Sequence, residues 1–105
     1  MHTPWGESQQ TDTIAEGITW VSTAGHGGII ISPERRAAMP KSLREFAPFA
    51  GGNAYEEDCD VAIVIAAFPQ HFTAKQVASA VSTIDAGEGR YFKGVQVGDA
   101  ARSRV

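Results

Sequence analysis

Residues 18–32 read ITWVSTAGHGGIIIS, and this stretch carries the strongest fold signal in the chain. Its first half alternates apolar and polar residues, as a half-buried strand does, and its second half carries the β-branched run Ile29-Ile30-Ile31. Between them lie residues 25–28, GHGG, whose glycines can adopt the positive φ of a tight turn. The stretch therefore predicts an antiparallel hairpin around residues 18–32, with His26 at its tip.

The segments outside this hairpin predict further strands and irregular ends. An alternating pattern begins at Thr13 and is interrupted at Gly17, which predicts a turn or bulge there. Near the other end, residues 91–97 alternate again and predict a C-terminal strand at the edge of the hairpin sheet. Residues 1–10 and 98–105 predict loose arms, the first with one aromatic anchor, Trp5.

Two segments carry clear signals for the start of a helix. Ser32 followed by Pro33 is typical of an N-cap and a first helical residue, and Pro40 ends that helix. Thr73 and Gln76 match a capping box. Apolar residues follow Gln76 at helical spacing, and Gly87 ends the pattern. They are Val77, Ala80, Val81 and Ile84.

Residues 56–68 combine an acidic start with an apolar, alanine-rich second half, before Pro69. Negative charge is favourable at a helix N-terminus, so we interpret this segment as a largely buried helix. The apolar run alone is equally typical of a core strand. The prediction for the whole chain is α+β: a small antiparallel sheet with two to three helices on one face, in one domain over residues 1–105.

Composition limits the classes of function. The chain has 105 residues, 20% of them charged, and a net charge of −3, so bulk electrostatics predict no general affinity for nucleic acid. Its single cysteine, Cys59, cannot form an intramolecular disulfide. The N-terminus lacks the regions of a signal peptide, and no apolar run approaches the length of a membrane span. We therefore expect a cytoplasmic protein without membrane contact.

His26 has three interpretations. A metal ligand needs partners, and His2, His71 and Cys59 do not stand at the short spacings of zinc sites. A general base needs a nucleophile and an orienting carboxylate in defined geometry, which the sequence does not supply. We therefore predict no metal, no cofactor and no catalytic residue, and expect His26 to be a contact residue at a hairpin tip.

The stretch YEEDCD, residues 55–60, contains four carboxylates: Glu56, Glu57, Asp58 and Asp60. One interpretation is a set of favourable charges at a helix N-terminus. The other is an acidic surface that binds a basic partner by electrostatic complementarity. The sequence leaves both open. Cys59, between acidic neighbours, is expected to be a buried and inert thiol.

Four blocks occur in a fixed order along the chain: residues 3–6 (TPWG), 20–28 (WVSTAGHGG), 32–35 (SPER), and 55–60 (YEEDCD) with the apolar run to Pro69. Together they resemble the DUF7007 family of small bacterial, plasmid and phage proteins. The similarity covers about residues 3–70. The family has no settled activity, so the resemblance implies only a context, in which many short chains on mobile elements inhibit host defence.

Two hypotheses of function follow. The first is an anti-CRISPR-like inhibitor that binds a host Cas effector complex or another defence protein in the host cytoplasm. It would act stoichiometrically, through an acidic face that competes with nucleic acid, and without binding nucleic acid itself. Its contact residues would be Glu56, Glu57, Asp58, Asp60 and His26. The alternative is a small enzyme or metal-dependent hydrolase that uses His26 with acidic residues or Cys59.

Overall fold

The computed structural model describes residues 2–105, which form six strands and five α-helices. The strands are β1 (His2–Thr3), β2 (Gly6–Glu7), β3 (Gln10–Ala15), β4 (Ile18–Ser22), β5 (Gly27–Ile31) and β6 (Ala54–Glu56). The helices are α1 (Pro33–Ala38), α2 (Lys41–Glu45), α3 (Val61–Ala67), α4 (Ala74–Ala86) and α5 (Asp99–Arg102), with a 3₁₀ turn at Pro69–His71. The predicted α+β class is confirmed.

These elements fall into two compact units, each with its own buried residues. The sheet unit comprises residues up to Ala37 and Ala47–Val61, and the helical unit comprises Ala38–Phe46 and Ala62–Val105. In the sheet unit, the buried apolar residues of β4, β5 and β6 are Ile18, Val21, Ile29, Ile31, Ala54 and Tyr55. In the helical unit the buried residues come mainly from α3 and α4. The prediction of one domain over residues 1–105 stays a prediction.

The sheet unit is built on a four-stranded antiparallel sheet in the order β3-β4-β5-β6. Its centre is the predicted hairpin, in which β4 and β5 pair from Ile18 opposite Ile31 to Ser22 opposite Gly27. Gly17, at a φ of 80°, turns the chain from β3 into β4, as the interrupted alternation predicted. The hairpin prediction is confirmed, and it fixes where the tip at His26 lies.

The predicted C-terminal strand is wrong. Residues 87–94 form successive turns instead, with the Phe92 amide donating to the Gly87 carbonyl at 2.8 Å. Gly94 has a φ of 82°, which interrupts any extended run. The alternation had another cause: Phe92 is buried and packs with the rings of Phe46 and Tyr91, at centroid distances of 5.3 and 4.9 Å.

The predicted helix over residues 56–68 is wrong in its first part. Residues 54–56 form strand β6, residues 57–60 form turns, and the helix begins only at Val61. Strand β5 decides this, because it pairs with β6 from Ile30 opposite Ala54 to Gly28 opposite Glu56. Pairing also places Tyr55 in the core, fully buried. The acidic residues therefore lie at a strand end and a turn, not on the first turn of a helix.

The helix-start signals are confirmed. Thr73 Oγ1 accepts from the Gln76 amide at 3.1 Å, and Gln76 Oε1 accepts from the Thr73 amide at 2.9 Å. The buried residues of α4 are the four that the helical spacing predicted, Val77, Ala80, Val81 and Ile84. Ser32 caps α1 by accepting from the Arg35 amide at 3.1 Å. Local sequence is enough for these features because a cap needs only neighbours in the chain.

Ordered structure occupies part of both predicted arms. At the N-terminus, β1 and β2 form a short hairpin, and His2 and Glu7 interact across it at 2.9 Å. The chain then joins the sheet, since the Gln9 amide donates to the Ser22 carbonyl at 2.8 Å. At the C-terminus, Arg102 of α5 binds both carboxylate oxygens of Asp85 on α4, at 2.8 and 3.2 Å. This hydrogen-bonded pair lowers the pKa of Asp85.

No helix in residues 2–105 has the length and hydropathy needed to cross a lipid bilayer. The longest, α4, has 13 residues and an exposed polar face.

Candidate interaction surface

The hairpin tip is closed by the backbone and side chain of Thr23. The Thr23 amide donates to the His26 carbonyl at 2.8 Å, and Thr23 Oγ1 accepts from the His26 amide at 3.1 Å. The side chain of His26 is exposed. The placement of His26 at a turn is therefore as the sequence predicted, and the imidazole faces outward from a tip whose backbone is held by hydrogen bonds.

The glycines of the tip have a different role from the one predicted. None of Gly25, Gly27 and Gly28 has a positive φ. Instead, a Cβ on Gly28 would lie 2.1 Å from the Tyr55 carbonyl oxygen, and one on Gly27 would lie 2.5 Å from the Val21 carbonyl oxygen. These two glycines are needed because neighbouring strands and the Trp5 ring approach the backbone too closely for a side chain.

Strand pairing brings the two candidate surfaces together. Gly28 pairs with Glu56, and the Glu57 amide donates to the Gly27 carbonyl at 3.0 Å. The Glu57 carboxylate also lies over Gly27, 3.4 Å from where a Cβ would stand. The tip and the acidic stretch, 30 residues apart in sequence, are therefore adjacent. We name the surface formed by His26, Glu56, Glu57 and Asp58 the tip–acidic surface.

Asp60 does not belong to this surface. Its side chain is 1% exposed, and its Oδ2 accepts a hydrogen bond from the Phe49 amide at 2.8 Å. The expectation that Asp60 contacts a partner therefore needs correction, because the residue is buried directly before α3 and binds the protein's own backbone. The exposed carboxylates are those of Glu57 and Asp58, with Glu56 half-buried.

Cys59 is exposed, so the expectation of a buried thiol is wrong. The cause is the turn over residues 57–60, which replaces the predicted helix and leaves its middle residues at the surface. Among residues 2–105, no group of three or more histidine, cysteine or acidic side chains is arranged to hold a metal ion. The tip–acidic surface thus offers charge and an imidazole, without a coordination site in the described part of the chain.

Tyr55 is a residue whose importance the sequence did not reveal. It is fully buried, and its hydroxyl has no hydrogen-bond partner. The guanidinium of Arg36 lies 5.9 Å from the centre of its ring. Burial raises the pKa of Tyr55 above its usual value of 10.0, the charge of Arg36 opposes this increase, and Asp60 adds to it.

We predict that Tyr55 limits stability in alkali. In the folded state the phenol stays neutral to higher pH than in the unfolded state, so its contribution is complete below about pH 10 and decreases as pH rises through the folded pKa. Tyr55→Phe removes this dependence, and at pH 7 it changes the free energy of unfolding by less than about 1 kcal/mol, because the lost hydroxyl has no partner. Urea unfolding between pH 8 and 11 measures both effects.

The matched control is Tyr91→Phe, since Tyr91 is the other tyrosine and its side chain is 50% exposed. This variant keeps Tyr55 and is expected to lose stability above pH 10 as the wild type does. An identical alkaline profile for wild type and Tyr55→Phe would contradict the assignment.

Comparison with known proteins places the chain in a family. The family model described as "Domain of unknown function (DUF7007)" matches residues 1–103. The match therefore continues beyond residue 70, where the recognised sequence blocks end. No curated protein and no solved structure matches the chain significantly. The chain, including its tip–acidic surface and α4, belongs to the DUF7007 family.

Proposed function

We propose that this protein is a non-catalytic, stoichiometric inhibitor that binds the basic nucleic-acid site of a host defence complex, in the manner of an anti-CRISPR protein. The tip–acidic surface makes the contact. The observation that supports this most is the pairing of β5 with β6, which brings an exposed imidazole and exposed carboxylates onto one surface. A net charge of −3 is in keeping with a basic target.

The geometry favours binding over chemistry at this surface. His26 is exposed at a tip, and its hydrogen bonds to Thr23 involve the backbone of His26, not its imidazole. The orienting carboxylate that a general base requires is not bonded to the ring in the described residues. Exposed carboxylates on a sheet edge and turn instead provide long-range attraction and orientation toward a basic surface.

The test uses a purified, guide-loaded Cas effector complex and its target DNA. We expect target binding to fall linearly with added protein and to stop near one protein per complex. The double variant Glu57→Gln/Asp58→Asn is expected to weaken inhibition by about tenfold or more and to reduce its dependence on salt, because two exposed charges are removed.

The control variant is Glu16→Gln/Glu34→Gln. It makes the same charge change on exposed residues of the sheet unit, at the opposite end of the β4–β5 hairpin. Inhibition by this variant should equal that of the wild type. Inhibition at far below one protein per complex, abolished by His26→Ala, would contradict the proposal and favour the enzyme alternative.

A further inference from the structure

Phe49 is an exposed aromatic side chain that the proposed function does not use. It is 81% exposed, more than Val105 at 70% and Tyr91 at 50%, which are the other large exposed apolar residues in the described part of the chain. A single exposed apolar residue is common on protein surfaces. What distinguishes Phe49 is how firmly its backbone is held.

Three sets of hydrogen bonds fix the loop that carries Phe49. The buried Asp60 carboxylate accepts from the Phe49 amide at 2.8 Å. The Gly51 amide donates to the Pro48 carbonyl at 2.9 Å, closing a turn around Phe49. On the other side, Arg36 donates to the Gly52 carbonyl and to Asn53 Oδ1. The loop therefore presents the ring from a defined position, without a large loss of backbone entropy when it binds.

Phe49 also lies close to the tip–acidic surface. Asp60 binds its amide, and Asp58 is two residues from Asp60, so the two Cα atoms of these aspartates are no more than about 7.6 Å apart. The exposed Asp58 and Glu57 thus precede by two and three residues the carboxylate that holds the base of the loop. An aromatic anchor next to carboxylates is complementary to an apolar pocket rimmed by lysine or arginine.

We infer that Phe49 is the anchor of the interface: it enters an apolar pocket on a basic protein partner, while Glu57 and Asp58 meet the cations around that pocket. This inference rests on the proposed function and states the chemistry of the partner. A protein is favoured over a nucleic acid, because the carboxylates beside Phe49 repel phosphates even though an aromatic ring can stack on a base.

The test uses two synthetic helical peptides of equal positive charge, one with a leucine stripe flanked by lysines and one with serine in place of leucine. We expect the wild type to bind the leucine peptide at least about tenfold more tightly than the serine peptide. Phe49→Ser should remove this preference, and Val105→Ser should keep it. The double variant Glu57→Gln/Asp58→Asn should weaken the binding of both peptides by a similar factor.

Equal binding of the two peptides by the wild type, or a preference that survives Phe49→Ser, overturns the inference. Binding of a single-stranded oligothymidine at the affinity of the leucine peptide overturns it as well. The two proposals fail separately. If Phe49→Ser still inhibits an effector complex fully, only the inference that Phe49 is the anchor is overturned. If the wild type prefers the leucine peptide through Phe49 but does not inhibit any effector complex, only the proposed target is overturned.

Discussion

Replacement of Gly28 by alanine is expected to lower the free energy of unfolding by at least about 3 kcal/mol, the upper end of the usual cost of overpacking. The new Cβ would lie 2.1 Å from the Tyr55 carbonyl oxygen and 3.0 Å from Glu56 Cα. Both are backbone atoms of the paired strand β6, so the clash cannot be relieved by a rotamer change. Either β5 and β6 separate or the sheet distorts.

The Gly28 variant also tests how the N-terminal hairpin is attached. The same Cβ would approach Trp5 Cη2 to 2.8 Å, so the indole must move as well. Urea unfolding measures the loss of stability, and tryptophan fluorescence of the folded state reports the displaced ring. Because the β5–β6 pairing places Glu56 and Glu57 beside His26, the variant should also weaken binding of the proposed partner.

Gly25→Ala is the matched control in the same hairpin. A Cβ there meets nothing within 4 Å, and the residue has no positive φ. We expect a change within about 0.5 kcal/mol, or a small gain from reduced freedom of the unfolded chain. Equal stability of the Gly28 and Gly25 variants would show that β5 and β6 do not approach as described.

Replacement of Asp60 by alanine is expected to lower the free energy of unfolding by about 1.5 to 3 kcal/mol, the range for loss of a buried hydrogen bond to a carboxylate. The Phe49 amide loses its acceptor, while the cavity left by the 1% exposed side chain removes packing. Hydrogen exchange gives the direct measurement, because the Phe49 amide should exchange much faster in the variant than in the wild type.

Two further variants separate the hydrogen bond from the charge. Asp60→Asn keeps an acceptor oxygen at the same position and is expected to restore part of the protection of the Phe49 amide. Asp58→Ala removes an equal charge from an exposed position and should leave stability within about 0.5 kcal/mol. A protected Phe49 amide in Asp60→Ala would refute the role of Asp60 in holding the loop.

The proposed interface was predictable from the sequence only in part. The sequence placed His26 at a hairpin tip and showed four acidic residues close together at positions 56–60. It left open whether the tip or the acidic stretch makes the contact. Their adjacency depends on which strand pairs with β5, and pairing partners that are 24 to 28 residues apart in the chain leave no local signal. Phe49 was missed for the same reason, since only the fold shows that it stays outside the core.

Local chemistry in the sequence by itself determined the β4–β5 hairpin, the turn at Gly17 and the caps of α1 and α4. In each case the interacting groups are close in the chain, as with Thr73 and Gln76. Only the tertiary structure decided that residues 54–56 form a strand, that Asp60 is buried and that residues 91–97 are not a strand. There the outcome depends on partners elsewhere in the chain, namely the edge of β5 that β4 does not cover, the amide of Phe49 and the ring of Phe46. The same pattern of hydrophobic and charged residues is compatible with a strand, a helix or a buried turn. Long-range pairing decides which of these structures forms.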